Sequence, residues 1–135
     1  MLFAIIAGPT FEKAQADLNL IRGAQGVEIR LDLFDSIDPK KLEILIKLLK
    51  SQLSLKVLLA LRPLREGGKF KGDEKERLQI LYSLCQLEPD YIDLEWDVSK
   101  ETWKSFTEAF PKIQKICSYH NFIHYQALLP LLKAS

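Results

Sequence analysis

Short apolar stretches alternate along the chain with longer segments whose apolar residues recur at helical spacing. A run of four to eight apolar residues is typical of a buried strand, whereas apolar residues at intervals of three and four indicate an amphipathic helix. The pattern predicts five strands, at Leu2–Ala7, Val27–Leu31, Lys56–Leu61, Tyr91–Glu95 and Lys115–Tyr119. It predicts helices between and after them, at Phe11–Arg22, Pro39–Gln52, Asp73–Leu87, Ser99–Phe110 and about Tyr125–Lys133. Strands that alternate with helices form right-handed βαβ units, so the predicted fold class is α/β with a parallel sheet.

The second predicted helix shows the amphipathic pattern most clearly. Its apolar residues share one stripe, namely Leu42, Ile44, Leu45, Leu48 and Leu49, while the lysines fall off that stripe. Asp38 can cap the helix, and Pro39 fits the first helical position because its missing N–H would have no partner there.

Charged and polar residues recur on one side of the predicted strands. Side chains alternate between the faces of a strand, so Glu28, Arg30 and Asp32 share one face while Val27 and Ile29 share the other. The same alternation, extended into the turns after the strands, gives one inward-facing set: Glu28, Arg30, Arg62, Glu66, Asp93, Glu95, Ser118 and His120.

Two architectures accommodate alternating strands and helices, an open doubly wound sheet and a (β/α) barrel. An open sheet with helices on both faces would bury the inward-facing charges at a high energetic cost. Gly8 is followed by Pro9, so the glycine pattern of a dinucleotide-binding turn is missing. The carboxyl mouth of a barrel can keep such charges in contact with solvent. We therefore predict a fold of the (β/α) TIM-barrel type.

The predicted barrel is incomplete in this chain. At 135 residues the sequence is long enough for one domain, and it contains about five βα units. A complete (β/α)₈ barrel needs about 250 residues. We expect residues 1–135 to form a partial (β/α)₈ domain, either a piece of a larger barrel or one completed by another chain.

Composition and charge narrow the classes of partner. The formal charge is +1, so no global field favours nucleic acid or an anionic membrane. The apolar start of the chain is too short for a membrane span and lacks the basic region of a signal peptide. Cys85 and Cys117 have no metal-ligand spacing and suit reduced thiols. We expect a cytoplasmic protein without a disulfide.

The inward-facing set suits a small, polar, anionic substrate. An arginine can hold a carboxylate with two hydrogen bonds, and a carboxylate beside His120 can fix its tautomer and tune its pKa toward neutrality. The alternative is a group of structural ion pairs inside the barrel. His120 and His124 have the spacing of a metal pair, but no third ligand accompanies them, so no metal is predicted.

A glycine-containing segment with several lysines, "LREGGKFKGDEKER", follows the third predicted strand. It could cradle a phosphate, but no helix begins directly after Gly67 and Gly68 and no Gly-Lys-Ser/Thr sequence is present. We interpret it as a mobile lid or loop at the barrel mouth. A solvated charged turn is the simpler alternative.

Four motifs occur in order along the chain: "GVEIRLDLF", "ALRPLREGGKF", "YIDLEWD" and "SYHNF". Together they resemble type I 3-dehydroquinate dehydratase (3-dehydroquinase) over nearly the whole chain, which would correspond to the N-terminal part, about five-eighths, of that family's barrel. "GVEIRLDLF" resembles the second-strand motif, with Glu28 and Arg30 at substrate-contacting positions. "ALRPLREGGKF" resembles the third-strand motif, in which Arg62 would hold the substrate and Glu66 would pair with the catalytic histidine. "YIDLEWD" is similar to the fourth strand, and "SYHNF" places His120 at the general acid/base position.

The resemblance implies a lyase of the shikimate pathway and of aromatic amino-acid biosynthesis. Such an enzyme removes water from 3-dehydroquinate to give 3-dehydroshikimate, without a metal or organic cofactor. A lysine forms a Schiff base with the substrate ketone, and the histidine takes the neighbouring proton and later helps the hydroxyl leave as water. Asn121 stands where the family usually has aspartate, and "IHYQ" replaces a threonine-proline sequence nearby.

The imine-forming lysine is absent from the expected place. In the family it comes from the sixth strand, which this sequence lacks. Lys56 and Lys115 lie at the amino ends of their predicted strands, Lys69 and Lys71 lie in a loop, and Lys133 lies in the last helix. We therefore expect the isolated chain to carry only part of the active site.

Two alternatives remain open. A non-catalytic half-barrel would expose unpaired edge strands and act as an assembly or interaction unit, forming a homo-oligomer such as a dimer or binding a complementing barrel fragment. Another Schiff-base barrel enzyme, such as an aldolase, is disfavoured by the ordered motifs around Glu28, Glu66 and His120.

Overall fold

Five parallel strands form one sheet in which the spatial order follows the chain. The structure is a computed structural model that describes residues 2–118. The strands are β1 Phe3–Ala7, β2 Gly26–Arg30, β3 Lys56–Ala60, β4 Tyr91–Glu95 and β5 Gln114–Ser118. Each lies within one residue of its predicted bounds. The apolar runs alone therefore located every strand of the described sheet.

Four α-helices connect these strands. They are α1 Phe11–Ala16, α2 Pro39–Lys47, α3 Glu74–Leu84 and α4 Lys100–Ala109. The first three are shorter than predicted because each changes to another helical form, a 3₁₀ turn at Asp17–Leu20, a π turn at Leu48–Gln52 and a 3₁₀ turn at Cys85–Leu87. The predicted helix at 125–133 lies outside the described residues.

A polar side chain caps the amino end of every one of these four helices. Thr10, Asp38, Asp73 and Ser99 each accept a hydrogen bond from a backbone N–H in the first helical turn. Such caps satisfy donors that have no partner within the helix. Asp38 accepts from two amides, and Pro39 occupies the first position, as the sequence predicted.

The core lies between the helices and one face of the sheet. Val27, Ile29, Val57, Leu59 and Ile92 are fully buried on that face. In α2 and its π turn the buried residues are Leu42, Leu45, Ile46 and Leu49, at relative positions 0, 3, 4 and 7. Ile44 is 60% exposed, so its predicted place on the buried stripe is wrong. At about 100° per residue, the side chain of Ile44 points about 150° away from the mean direction of the four buried residues.

The sheet is open but curved like part of a barrel. β1 and β4 are three strand spacings apart, which is about 14 Å across a flat sheet. The rings of Phe3 on β1 and Tyr91 on β4 nevertheless meet edge to face, with centroids 5.7 Å apart. Gly26 makes room for this contact, because a Cβ there would lie 2.8 Å from the Phe3 ring. The described residues thus form five strands of an unclosed (β/α) barrel, as predicted.

Within residues 2–118, none of the helices has the length and apolar content that a membrane crossing requires.

Two neighbouring residues of α2 provide a matched test of the core. Leu45→Ala should lower the free energy of unfolding by about 2–5 kcal/mol, because it removes a fully buried side chain and leaves a cavity. Ile44→Ala should cost less than about 1 kcal/mol, because that side chain is largely in water already. Urea unfolding followed by circular dichroism measures both. Equal losses would contradict the observed orientation of α2.

Candidate active site

The predicted inward-facing residues of the strands share the concave face of the sheet. Glu28 and Arg30 on β2, Asp93 and Glu95 on β4, and Ser118 on β5 alternate with residues that face the helices. Glu95 is in register with Ser118 at the carboxyl ends of β4 and β5. The alternation rule therefore placed these five side chains correctly.

Arg62 and Glu66 lie just beyond β3, at the same end of the sheet. Arg62 follows the last strand residue by two positions, and Glu66 ends a 3₁₀ turn at Leu64–Glu66 with only 4% exposure. His120 lies outside the described residues. The structure therefore brings the predicted substrate-binding residues to one end of the sheet, while the predicted contact between Glu66 and His120 stays a prediction.

A buried carboxylate, that of Asp32, connects β2 to the segment after β3. Arg30 donates two hydrogen bonds to it, from Nε to Oδ1 at 3.0 Å and from Nη2 to Oδ2 at 2.7 Å. The backbone N–H of Arg62 donates to Oδ1 at 3.3 Å, and that of Lys69 donates to Oδ2 at 3.1 Å. Burial opposes ionisation of Asp32, but the hydrogen bonds and charge of Arg30 and the two amides together lower its pKa below the usual value. Asp32 is therefore a buried anion that accepts four hydrogen bonds, two from Arg30 and one from each of the two amides.

The sequence placed Asp32 on the inner face but not among the candidate site residues. In an extended strand, Arg30 and Asp32 would lie on the same face, but nothing in the local pattern would bring the two side chains into contact. The chain instead leaves β2 after Arg30 and makes a 3₁₀ turn at Leu31–Leu33, which turns the Asp32 carboxylate back onto the guanidinium. The alternating charges in "EIRLD" could have drawn attention to Asp32. No sequence signal indicated that its carboxylate would bind a backbone N–H 30 residues further along the chain.

The glycine-containing segment after β3 lies at the mouth, where it was predicted, and folds back onto the strand end. The N–H of Gly68 donates to the Pro63 carbonyl at 2.9 Å, and Gly67 has a φ of 78°, which glycine adopts without strain. A Cβ at Gly68 would lie 2.1 Å from the Arg62 carbonyl oxygen. Both glycines thus shape the turn that carries Glu66. The mobility of this segment as a lid stays a prediction.

The two carboxyl groups on β4 have pKa values close to neutrality. Burial raises the pKa of Asp93 to about 6, the Ser118 hydroxyl on β5 opposes the shift, and the charge of Glu28 adds to it. Burial raises the pKa of Glu95 to about 7, against the positive charge of Arg77. Carboxyl groups of this kind can hold or release a proton near neutral pH.

Arg77 was not identified from the sequence as a candidate site residue. It is the last of the charged residues in the segment after the third predicted strand, and in the structure it is the fourth residue of α3. Its side chain is fully buried, and its Nη2 lies 2.6 Å from Glu95 Oε1. The helical pattern around it is weakly amphipathic, so only the tertiary structure shows that this arginine points toward the sheet.

This arrangement can bind a small polar molecule and exchange protons with it. Guanidinium groups from β2 and from the segment after β3 lie at the same strand ends as the β4 carboxyl groups. An unclosed (β/α) barrel with charged side chains at the carboxyl ends of its strands is the part of a barrel enzyme in which active sites are built. The fold and the site together are those of part of a (β/α)-barrel protein with a polar site at the carboxyl ends of its strands.

The family follows from comparison with known proteins. The family model for type I 3-dehydroquinase matches residues 2–126. A 3-dehydroquinate dehydratase of Methanopyrus kandleri is 35% identical over 124 residues, covering 90% of this chain and 54% of that protein. The chain belongs to the type I 3-dehydroquinase family.

Another relative and two solved structures agree with this assignment. A bifunctional 3-dehydroquinate dehydratase/shikimate dehydrogenase of Arabidopsis thaliana is 42% identical over 101 residues, covering 74% of this chain and 16% of that protein. The 3-dehydroquinate dehydratase of Aquifex aeolicus superposes with a TM-score of 0.63 at 28% identity, covering 90% of this chain and 54% of that one. The S. pombe dehydroquinate dehydratase and shikimate dehydrogenase has a TM-score of 0.76 at 22% identity, with 90% and 24% covered, and supports the fold.

The chain spans about half the length of the Methanopyrus kandleri relative and a smaller share of the bifunctional one. Its five described strands correspond to part of the barrel in these proteins.

The buried Asp32 anion can be tested by removing its charge. Asp32→Asn should lower the free energy of unfolding at pH 7 by about 3 kcal/mol, because it leaves the Arg30 guanidinium buried without its counter-charge. The lowered pKa of Asp32 contributes stability above its unfolded pKa, and this contribution is lost as the pH falls through its folded pKa. The difference between the variant and the parent should therefore shrink in acid.

Urea titrations between pH 2 and pH 7 measure this difference, with exposed Asp35→Asn as the matched control. We expect the control to change stability by less than about 0.5 kcal/mol. If Asp32→Asn were no more destabilising than the control, the Asp32 anion would not hold the two strands together.

Proposed function

We propose that the protein takes part in the dehydration of 3-dehydroquinate to 3-dehydroshikimate and supplies the portion of the active site carried by these five βα units. One observation carries the proposal. In a chain of this family, the Asp32 carboxylate fixes Arg30 on β2 and the backbone of Arg62 after β3 at the same strand ends. This arrangement supports a role for both arginines in binding one molecule.

We assign substrate binding to Glu28, Arg30 and Arg62. A guanidinium matches a carboxylate or a pair of hydroxyl groups with two parallel hydrogen bonds, and 3-dehydroquinate carries both kinds of group. Glu28 is half-buried on the inner face and can accept a hydrogen bond from a substrate hydroxyl. The role of these residues in the proposal is to orient the substrate.

We assign proton transfer to His120, with Glu66 as the residue that orients it. A lysine amine condenses with the substrate ketone and releases water, and the resulting iminium makes the adjacent C–H more acidic. His120 takes that proton, and the electron pair moves toward the iminium nitrogen. His120 then returns a proton to the departing hydroxyl, which leaves as a second water, and hydrolysis of the imine regenerates the lysine.

The proposal assigns the imine-forming lysine to the remainder of the barrel. Among residues 2–118, no lysine lies on the inner face at the carboxyl end of a strand. Lys56 begins β3, and the Lys115 amine, on β5, donates to the carbonyls of Phe110 and Ile113. Both therefore lie toward the opposite end of the sheet.

A second candidate is a non-catalytic assembly unit, which the exposed apolar surface of the open sheet favours. Leu2 and Ile5 are 63% and 61% exposed, and Ile116 on β5 is 38% exposed. Within the described residues β1 and β5 each pair along one edge only. A second copy of the chain or a complementing barrel fragment would bury this surface.

Size-exclusion chromatography with light scattering tests the assembly candidate. We expect the chain to form a dimer or larger species, because water-exposed apolar side chains favour association. Ile5→Lys should shift the population toward monomer without disturbing the core, since Ile5 faces away from the helices. A parent chain that stays monomeric at high micromolar concentration would count against this candidate.

Borohydride trapping tests the dehydratase candidate. The chain should form no adduct with 3-dehydroquinate on its own. When it replaces the matching segment of the Methanopyrus kandleri relative, the chimaera should form a reduced adduct on a lysine of the relative. Without borohydride it should produce the conjugated enone, seen by ultraviolet absorbance.

In that chimaera His120→Ala should lower kcat by about 10²- to 10⁴-fold, whereas exposed Lys75→Met should leave kcat unchanged. An adduct on this chain alone, or a His120→Ala chimaera of unchanged kcat, would contradict the assignment.

A further inference from the structure

The carboxyl halves of β3 and β4 separate where the candidate site forms. Leu58 pairs with Tyr91 and Leu59 pairs with Ile92, and the ladder ends there. By contrast, β2 pairs with β3 as far as Arg30 and Ala60, and β4 pairs with β5 through all five positions. Beyond these two pairs no ladder joins the carboxyl ends of β3 and β4, and we call this region the β3–β4 gap.

A single buried guanidinium, that of Arg77 on α3, spans this gap. Its Nη1 donates to the carbonyl of Leu61, one residue past β3, at 2.8 Å. Its Nη2 lies 2.6 Å from Oε1 of Glu95, the last residue of β4. Both side chains of this ion pair are almost completely buried, at 1% and 0% exposure. One side chain thus replaces the missing ladder contacts between the two strand ends.

Glu74 holds the Arg77 guanidinium in this orientation. The Glu74 carboxylate, in the first turn of α3, accepts from Arg77 Nε at 3.0 Å and from Arg77 Nη2 at 2.6 Å. It also accepts from Arg65 Nη1 at 2.7 Å. Arg65 lies in the turn that carries Glu66, so the turn after β3 is attached to the same carboxylate.

Arg65 extends the network to the loop after β4. It donates to Asp97 from Nε at 2.9 Å and from Nη2 at 3.0 Å. The segment after β3 is therefore joined to β4 through Arg77 and Glu95, and to the following loop through Arg65 and Asp97. The Arg65 pairs are more than a third exposed, so solvent screens them, whereas the Arg77–Glu95 pair is buried and is not screened in this way.

We propose that Arg77 is a positioning residue of the candidate site, which holds Arg62 and Glu66 on one side of the β3–β4 gap at a fixed separation from Asp93 and Glu95 on the other. The planar guanidinium can make these contacts together because its donors point in several fixed directions. A lysine ammonium would carry the charge without the same geometry. That the positioned residues bind substrate rests on the proposed function. The bridge itself, which is the pair of contacts from Arg77 to Leu61 and Glu95, can be tested without substrate.

Titration of Glu95 reports whether the bridge exists in solution. Within residues 2–118, the charged or titratable groups that act on this carboxyl are Arg77 from α3, Asp93 from its own strand and Cys117 from β5. Burial raises the pKa of Glu95 to about 7, and the Arg77 charge keeps it from rising further. Arg77→Met should therefore move the Glu95 midpoint upward by about one pH unit or more, a tenfold change in proton affinity.

The experiment is a ¹³C-carboxyl NMR titration of the chain labelled at glutamate, with the Glu95 signal assigned by its loss in Glu95→Gln. The control is Lys75→Met, which removes an exposed charge from the same helix and should leave the midpoint unchanged. A folded Arg77→Met chain with the parental Glu95 midpoint would overturn the proposal.

A second variant keeps the proposal testable if Arg77→Met does not fold. Arg77→Lys retains the charge, so backbone amide signals rather than the midpoint are compared. We expect changes on both sides of the gap, at residues 61–66 and at 93–97, and none in the Lys75→Met control. Changes confined to α3 would show that Arg77 only stabilises its own helix and would overturn the proposal. Because no substrate is used, an inactive chimaera would contradict the dehydratase assignment and leave this result standing.

Discussion

The hydrogen bonds to the ionised Asp32 carboxylate hold the strand ends and turns at the carboxyl end of the sheet in place. This carboxylate has no solvent contact and accepts hydrogen bonds from the Arg30 side chain and from the amides of Arg62 and Lys69. A buried charge persists only when such partners replace its hydration. The direction of Arg30, the start of the segment after β3 and the position of that segment's glycine turn are therefore fixed by the same anion.

Three of the buried carboxyl groups at this end fall into two kinds, with pKa shifts of opposite sign. Asp32 receives enough hydrogen bonds and positive charge to overcome burial, and its pKa falls. For Asp93 and Glu95 burial dominates, and their pKa values rise to about 6 and about 7. The first kind supports structure at neutral pH, and the second kind is suited to proton exchange.

An unclosed barrel explains why the concave face that carries the buried polar groups also exposes apolar side chains. In a closed barrel the inner side chains of neighbouring strands fill the centre in layers. Here Phe3 and Tyr91 make one such contact, but Ile5 and Ile116 remain in water. The same face thus carries a polar site at its carboxyl end and exposed apolar side chains near its open edges. The dehydratase proposal involves the first region and the assembly proposal involves the second.

Local sequence patterns were enough to predict the five strands, their parallel βα order and the strand face that carries the polar residues. Those residues are Glu28, Arg30, Asp93, Glu95 and Ser118. Apolar runs and a two-residue alternation are local properties, and burial of the opposite face leaves no other orientation for these strands. Three features became visible only in the folded chain. Ile44 is exposed, the Asp32 carboxylate contacts the Arg30 guanidinium, and Arg77 points from α3 toward Glu95. Each of these depends on where a helix or turn sits against groups distant along the chain. A periodic pattern shows which residues share a face, but only the packed structure shows which charges meet across a gap.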